Sequence, residues 1–229
     1  MKEAIVLAGG FGTRLRQMVS DMPKPMAPVA GRPFLAIMLD ALARKGFTRV
    51  VLSLGFMAEK ISGYFGNFYH GMEIFYVVEE VPLGTGGAVR LAMTCCHEEH
   101  VFVFNGDTYL DLEADDLERH WQKNRHAIIV GRDVPDAMRY GRLLTANGRV
   151  IGFSEKGISG PGLINAGCYI FNRGQLDKFP INIAFSLEID YLAHAVQTEV
   201  FDVFVTQGHF IDIGIPEDFG RAQVELAGY

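Results

Sequence analysis

The sequence predicts an α/β fold: a Rossmann-like, mostly parallel central sheet flanked by helices, with a mixed or antiparallel extension toward the C-terminus. Three observations carry the prediction. Short apolar runs at AIVLA (4–8), VVLSL (50–54), IFYVV (74–78) and VFVFN (101–105) are continuous rather than alternating, the pattern of strands covered on both faces. Longer segments with helical spacing separate them, and the order βαβαβαβ builds a parallel sheet through right-handed crossovers. Beyond residue 126 strand follows strand with few helices between, which extends the same sheet in mixed or antiparallel fashion.

The first helix, 33–45, opens at Pro33, carries Phe34, Ile37, Met38, Ala41 and Leu42 on one face and stops at Gly46, the usual asymmetry of helix ends. Helices at 57–68 and 84–94 separate the remaining parallel strands. AIIV (127–130), GRLL (141–144), VIGFSE (150–155) and NAGCYIF (165–171) read as later strands. FSLEIDYLAHAV (185–196) reads as a helix with Ser186 as its N-cap. VFDVFVTQGHFIDIG (200–214) is strand-rich, and Pro216 opens a last helix to about Leu226. No linker, repeat or change of composition interrupts the chain, so residues 1–229 are expected to form a single domain.

Apolar residues make up 49% and charged residues 21%, enough for an ordinary core. The net charge is −6, so no general basic field attracts nucleic acid, and a phosphate ligand must be held locally. Cys95, Cys96 and Cys168 are odd in number and lack metal-ligand spacing, which reads as free thiols in a reducing compartment. Residues 4–8 are too short for a signal-peptide core, and no apolar stretch approaches the ~18 residues of a membrane span. The expectation is a soluble, cytoplasmic protein with no membrane partner. A homo-oligomer is left open.

The first strand runs into LAGGFGTRL (7–15), followed by PKPMAPV (23–29). Glycines after a first strand let backbone approach a ligand, and their N–H groups form an anion nest at the sheet edge where α/β folds bind ligands. The pattern is neither GxGxxG, since position 15 is Leu, nor a Walker A loop, since no Gly-Lys-Ser/Thr follows. A tight turn alone would require neither Arg14 nor a lysine, Lys24, set between Pro23 and Pro25.

Taken with EEVPLGTGGA (79–88), FNGD (104–107), EKG (155–157), INAGCYIF (164–171) and FIDIGIPED (210–218), this stretch resembles the signature of the sugar-1-phosphate nucleotidyltransferases. The resemblance spans essentially the whole chain. In length and detail it is nearest to the guanylyltransferases acting on D-glycero-α-D-manno-heptose 1-phosphate, and there is no segment resembling the C-terminal β-helix of longer relatives.

The resemblance implies that a sugar 1-phosphate attacks the α-phosphorus of GTP to give a GDP-sugar, destined for cell-surface polysaccharide, and pyrophosphate. It implies that Leu7, Ala8, Gly9, Gly10, Gly12 and Thr13 wrap the nucleotide, that Arg14 takes the leaving phosphates, and that Lys24 sits on the α-phosphate. Asp107 and Asp212 would bind Mg²⁺, as hard carboxylate ligands at strand ends. Glu79 would read the base, with Gly84 and Thr85 of the LGTGGA segment against it. Relatives using pyrimidine nucleotides carry Gln at the position of Glu79. A carboxylate can accept both N1–H and N2–H₂ of guanine, whereas adenine N1 would be repelled. The later strands would supply the sugar pocket: Gly141, Glu155, Lys156 and Asn165. Two competing classes are a non-catalytic nucleotide-sugar sensor on the same fold and a glycosyltransferase. Loss of Arg14, Lys24, Asp107 or Asp212 would have favoured the sensor; all four are present.

Overall fold

The computed structural model describes residues 1–10 and 22–229. In chain order the strands are β1 (Lys2–Leu7), β2 (Pro28–Val29), β3 (Arg32–Pro33), β4 (Phe47–Leu54), β5 (Phe68–Tyr69), β6 (Met72–Val78), β7 (His100–Asn105), β8 (Thr108–Leu110), β9 (Ala127–Val134), β10 (Leu143–Ala146), β11 (Arg149–Phe153), β12 (Gly162–Asn172), β13 (Phe201–Thr206) and β14 (Phe210–Asp212). The helices are α1 (Phe34–Arg44), α2 (Ala58–Phe65), α3 (Gly84–Met93), α4 (Ala114–Asn124), α5 (Ala193–Ala195) and α6 (Pro216–Glu225).

Ten strands form one sheet in the order β10-β11-β13-β9-β12-β7-β1-β4-β6-β5. The half around β7-β1-β4-β6 is parallel. The other half is mixed: β12 runs antiparallel to both β7 and β9, while β13 is parallel to β9. The expected extension therefore continues the same sheet. A separate two-stranded ribbon pairs β8 with β14 and brings Asp212 opposite Thr108.

Two apolar layers sandwich the sheet, as alternation along the buried strands requires. Ala4 and Val6 of β1 face a cluster with Phe34, Leu39 and Trp121 from α1 and α4. Ile5, between them, faces Val89, Leu187 and Tyr191 from α3 and the segment before α5.

Several expectations need correction. β6 is not covered on both faces: it lies near the sheet edge with only the short β5 beyond it, and Phe75 and Val78 are 40% and 52% exposed, the Phe75 ring having only the Arg49 guanidinium over it. The helix expected over 57–68 ends at Phe65, where Gly66 takes φ +61°, and Phe68 starts β5 instead. The expected 185–196 helix is one wide turn of π-helix, Leu187–Leu192, running into the short α5. Ser186 does cap it, accepting from the Ile189 N–H. Helix α4 was not anticipated, although Leu117 and Trp121 recur four residues apart on its buried side.

Candidate active site

The chain leaves β1 toward β4 and β6 on one side, and later places β7 on the other. β1 and β7 stay side by side to their C-terminal ends while the chain leaves them toward opposite halves of the sheet, which makes this the switch point where open α/β sheets bind ligands. Leu7 and Asn105 are paired across it, and Gly106 donates its N–H to the Leu7 carbonyl at 3.0 Å. A Cβ on Gly106 would lie 2.3 Å from that carbonyl oxygen, so only glycine fits the turn out of β7.

The two described glycines of the first loop differ in purpose. A Cβ on Gly9 would come within 3.2 Å of Gly55, Leu54 and Glu79, so Gly9 serves close packing inside the protein. Gly10 has nothing within 4 Å of such a Cβ and borders open space. Ala8 is buried beneath the loop and donates its N–H to Ser53 O. Gly12, Thr13 and Arg14 lie outside the described residues.

Two cavities open at this switch point. The first, about 570 Å³, is bordered by Leu7, Gly9, Glu79, Gly84 and Thr85, so most of the described nucleotide candidates converge there. The second, about 790 Å³, is bordered by Lys156, Asn165, Asp212, Arg139 and Tyr140. They share Gly10, Lys24, Asn105 and Asp107.

Lys24 opens a short 3-10 turn held by buried Pro25 and the Ala27 N–H to Lys24 O bond. Its Nζ meets Asp107 Oδ2 at 2.6 Å, with the lysine side chain only 13% exposed. Asp212 accepts the Gly214 N–H at 2.6 Å. Burial, then the charge of Asp107, pushes the Asp212 carboxyl above its usual range, while the Gly214 N–H and Lys24 oppose the shift. Two carboxylates that feel one another beside a cavity fit a hard dication, which keeps waters and takes phosphate oxygens to complete its shell. Among the described residues there is no group of three or more His, Cys, Asp or Glu that could hold a metal without such help.

Glu79 is half-buried and ties the end of β4 to the loop before α3. Its Oε2 accepts the Leu83 N–H at 2.8 Å, and its Oε1 faces Ser53 Oγ at 3.4 Å. Burial raises its carboxyl, against the lowering effect of those two bonds. Thr85 borders the cavity but is engaged within the protein: its Oγ1 donates to Glu188 and accepts the Leu187 N–H, each at 2.9 Å. Gly84 starts α3 at φ +67°, where a Cβ would lie 2.6 Å from the Phe185 carbonyl oxygen.

In the second cavity Asn165 is also internally bonded, to Tyr169 OH at 2.7 Å and to the Gly167 N–H at 3.0 Å. Lys156 borders the cavity, whereas exposed Glu155 and half-buried Gly141 are not among its lining residues. Arg139 and Tyr140, which sequence reasoning passed over, do line it. Arg139 pairs with buried Asp218 and donates to Tyr140 OH at 2.9 Å. The quoted FIDIGIPED motif contained one half of that pair; no periodicity in 135–142 could point to the other. Asn105 and Ser53 were missed likewise, as polar residues ending apolar strands.

The description "Nucleotidyl transferase" belongs to the family model that matches residues 3–227. The chain is 42% identical to the D-glycero-alpha-D-manno-heptose 1-phosphate guanylyltransferase of Aneurinibacillus thermoaerophilus, covering 99% of each chain. It is 34% identical to the mannose-1-phosphate guanylyltransferase of Mycobacterium tuberculosis over 98% of its own length and 64% of that enzyme. The crystal structure of HddC from Yersinia pseudotuberculosis complexed with GMP-PN superposes with a TM-score of 0.88 at 36% identity, covering 98% of this chain and 99% of that one. A glycine loop at a switch point, two cavities meeting at a lysine–aspartate pair, and similarity along the whole chain lead to one conclusion: this protein belongs to the nucleotidyl transferase family.

Proposed function

We propose that the protein transfers GMP from GTP to D-glycero-α-D-manno-heptose 1-phosphate, releasing pyrophosphate and a GDP-heptose for cell-surface polysaccharide synthesis. The observation that carries this reading is the pair of cavities joined at Lys24 and Asp107. One cavity suits a nucleotide and the other a sugar phosphate, and their junction is where the phosphates must meet. Guanine and heptose are suggested by what the relatives in Aneurinibacillus and Yersinia act on or bind.

The chemistry asks little of the protein beyond placement. A phosphate monoester has its second pKa near ~6, so the attacking oxygen is already largely ionised at neutral pH and needs no general base. Catalysis is then alignment plus neutralisation of developing charge. Lys24 Nζ stands at the junction and would move from Asp107 onto the α-phosphate. Arg14 would take the leaving phosphates. Asp107 and Asp212 would hold Mg²⁺, which when bound supplies charge neutralisation on the phosphate oxygens. Glu79, anchored through Oε2 by the Leu83 N–H, would offer its remaining acceptor capacity to guanine N1–H and N2–H₂. Gly9, Gly10, Gly12 and Thr13 would wrap the nucleotide. Lys156 would meet the sugar phosphate, with Asn165, Gly141 and Glu155 shaping the sugar side.

The setting we propose is the cytoplasm. The three cysteines are free thiols, and among the described residues no helix is long and apolar enough to cross a membrane.

Pyrophosphate release from a matrix of GTP, ATP, UTP and dTTP against heptose, mannose and glucose 1-phosphates tests the reading. The expected maximum is GTP with the manno-heptose. The relative in Mycobacterium favours a second reading, transfer to mannose 1-phosphate, which differs from the heptose by one exocyclic carbon. A maximum at mannose 1-phosphate would select it, and no release from any pair would reject nucleotidyl transfer.

A further inference from the structure

Asn105 ends β7, pairs with Leu7 across the switch point and borders both cavities. Its Oδ1 is buried without a hydrogen-bond partner among the described residues. Native proteins pair nearly all such atoms, and an exception in the wall of a site points to function rather than folding.

The surroundings pack closely against the other end of the amide. Gly167 lies next to the amide at φ +67°, and a Cβ there would fall 2.6 Å from Asn105 Nδ2. Gly167 sits in the irregular stretch of β12 where its register with β9 shifts between Asn165 and Tyr169. Asn165 holds that stretch by accepting the Gly167 N–H and donating to Tyr169 OH. Nδ2 lies on the side of Gly167, which itself lines the second cavity, and it is the only donor this side chain has. It is a donor and requires an acceptor. The other side-chain donor in the shared wall, Lys24 Nζ, must first leave Asp107 to reach a phosphate, whereas the Asn105 amide is held by no ion pair. The nearby carboxylates of Asp107 and Asp212 cannot themselves bind a phosphate.

We propose that Asn105 Nδ2 donates a hydrogen bond to a phosphate oxygen where the two cavities meet, holding the reacting phosphates in line. This rests on the nucleotidyl-transfer reading. Two phosphates qualify by chemistry, the α-phosphate of the nucleotide and the 1-phosphate of the sugar.

The experiment compares wild type, Asn105→Ala and the isosteric Asn105→Asp. In Asn105→Ala, kcat/KM is expected to fall at least tenfold. In Asn105→Asp it falls further, because the new carboxylate repels phosphate. The ligand-free melting temperature of Asn105→Ala should equal or exceed that of wild type, since an unpaired buried acceptor has been removed; an asparagine needed only for folding would lower it. Calorimetric titration with GTP alone separates the two sources. Weakened GTP binding assigns the bond to the α-phosphate. Unchanged GTP binding with a raised KM for the sugar 1-phosphate assigns it to the sugar. Values of kcat/KM within twofold of wild type in both variants would overturn the proposal. So would a lowered melting temperature with activity lost only in step with the folded fraction. A wild type inactive on every nucleotide–sugar pair overturns the transfer reading itself, and this inference with it.

Discussion

Lys24 and Asp107 pair at 2.6 Å where the cavities join, so under the proposed function an arriving phosphate would draw Nζ from one anion to another. That exchange would cost little in charge and gain most as charge grows on the α-phosphate. Lys24→Ala is therefore expected to lower kcat by ~10²–10³, the scale of losing one preorganised donor, and to weaken GTP binding less. Steady-state pyrophosphate release measures it, and a kcat within threefold of wild type would separate Lys24 from the reacting phosphate. Asp212 poses the opposite problem. Its folded-state pKa is raised, so above that pKa its charge costs stability, a cost that disappears as pH falls below the unfolded value. Asp212→Asn keeps an oxygen for the Gly214 N–H and removes the charge. The ligand-free variant should melt higher than wild type at neutral pH, with the difference closing in acid, while it turns over more slowly and needs more Mg²⁺. A melting difference that persists in acid would count against the cause given. At Glu79 the issue is selectivity. Glu79→Gln can keep one oxygen on the Leu83 N–H, but then presents a donor where guanine needs an acceptor. GTP use should fall and the gap to UTP or dTTP narrow; an unchanged ratio of kcat/KM values would show that the base is read elsewhere.

Helix α3 shows why a motif can be legible while its cause is not. Its glycines look like a ligand cradle in the sequence, and Gly84 does border the first cavity. Yet a Cβ on Gly84 or Gly87 would strike the carbonyl oxygens of Phe185 or Ile183, because the segment before the π turn lies directly on the helix start. Gly86 donates to Phe185 O, and Phe185 N–H donates to Leu83 O. Gly84→Ala must also force a side chain into φ +67°. A loss of roughly 1–3 kcal/mol in denaturant-derived stability follows from the backbone strain alone. A variant as stable as wild type would mean that 183–187 can lift away. Periodicity made α1 and α3 readable to within a residue or two: α1 pairs an apolar face with a stop at Gly46, and α3 ends within a residue of where its pattern fades. It missed α4, whose polar face outweighs Leu117 and Trp121, and it could not distinguish a π turn from a helix, because a single six-residue turn is too short for its wider spacing to show. The site residues on strand ends, Asp107 and Asp212, stood out by resemblance. Arg139 and Ser53 lay outside the quoted motifs, and Asn105, inside FNGD, was given no role because nothing in the sequence shows that its amide oxygen is left unpaired among the described residues.

At the scale of the molecule, the parallel and mixed halves are joined by the antiparallel pairing of β12 with β7, so both cavities stand on one hydrogen-bonded sheet. The two apolar layers likewise run beneath both halves: Val6 and Ile128 share one, Ile5 and Ile129 the other. The chain is expected to unfold in a single calorimetric transition, with van't Hoff and calorimetric enthalpies in agreement. Two resolved transitions would divide it into separate domains. A shared wall also has an economic consequence for the cell. Under the guanylyltransferase reading, a GDP-sugar carries a nucleotide at one end and a sugar at the other, and so can occupy both chambers at once. An accumulating GDP-sugar would then shut out both raw materials together, and synthesis would slow as its own product built up.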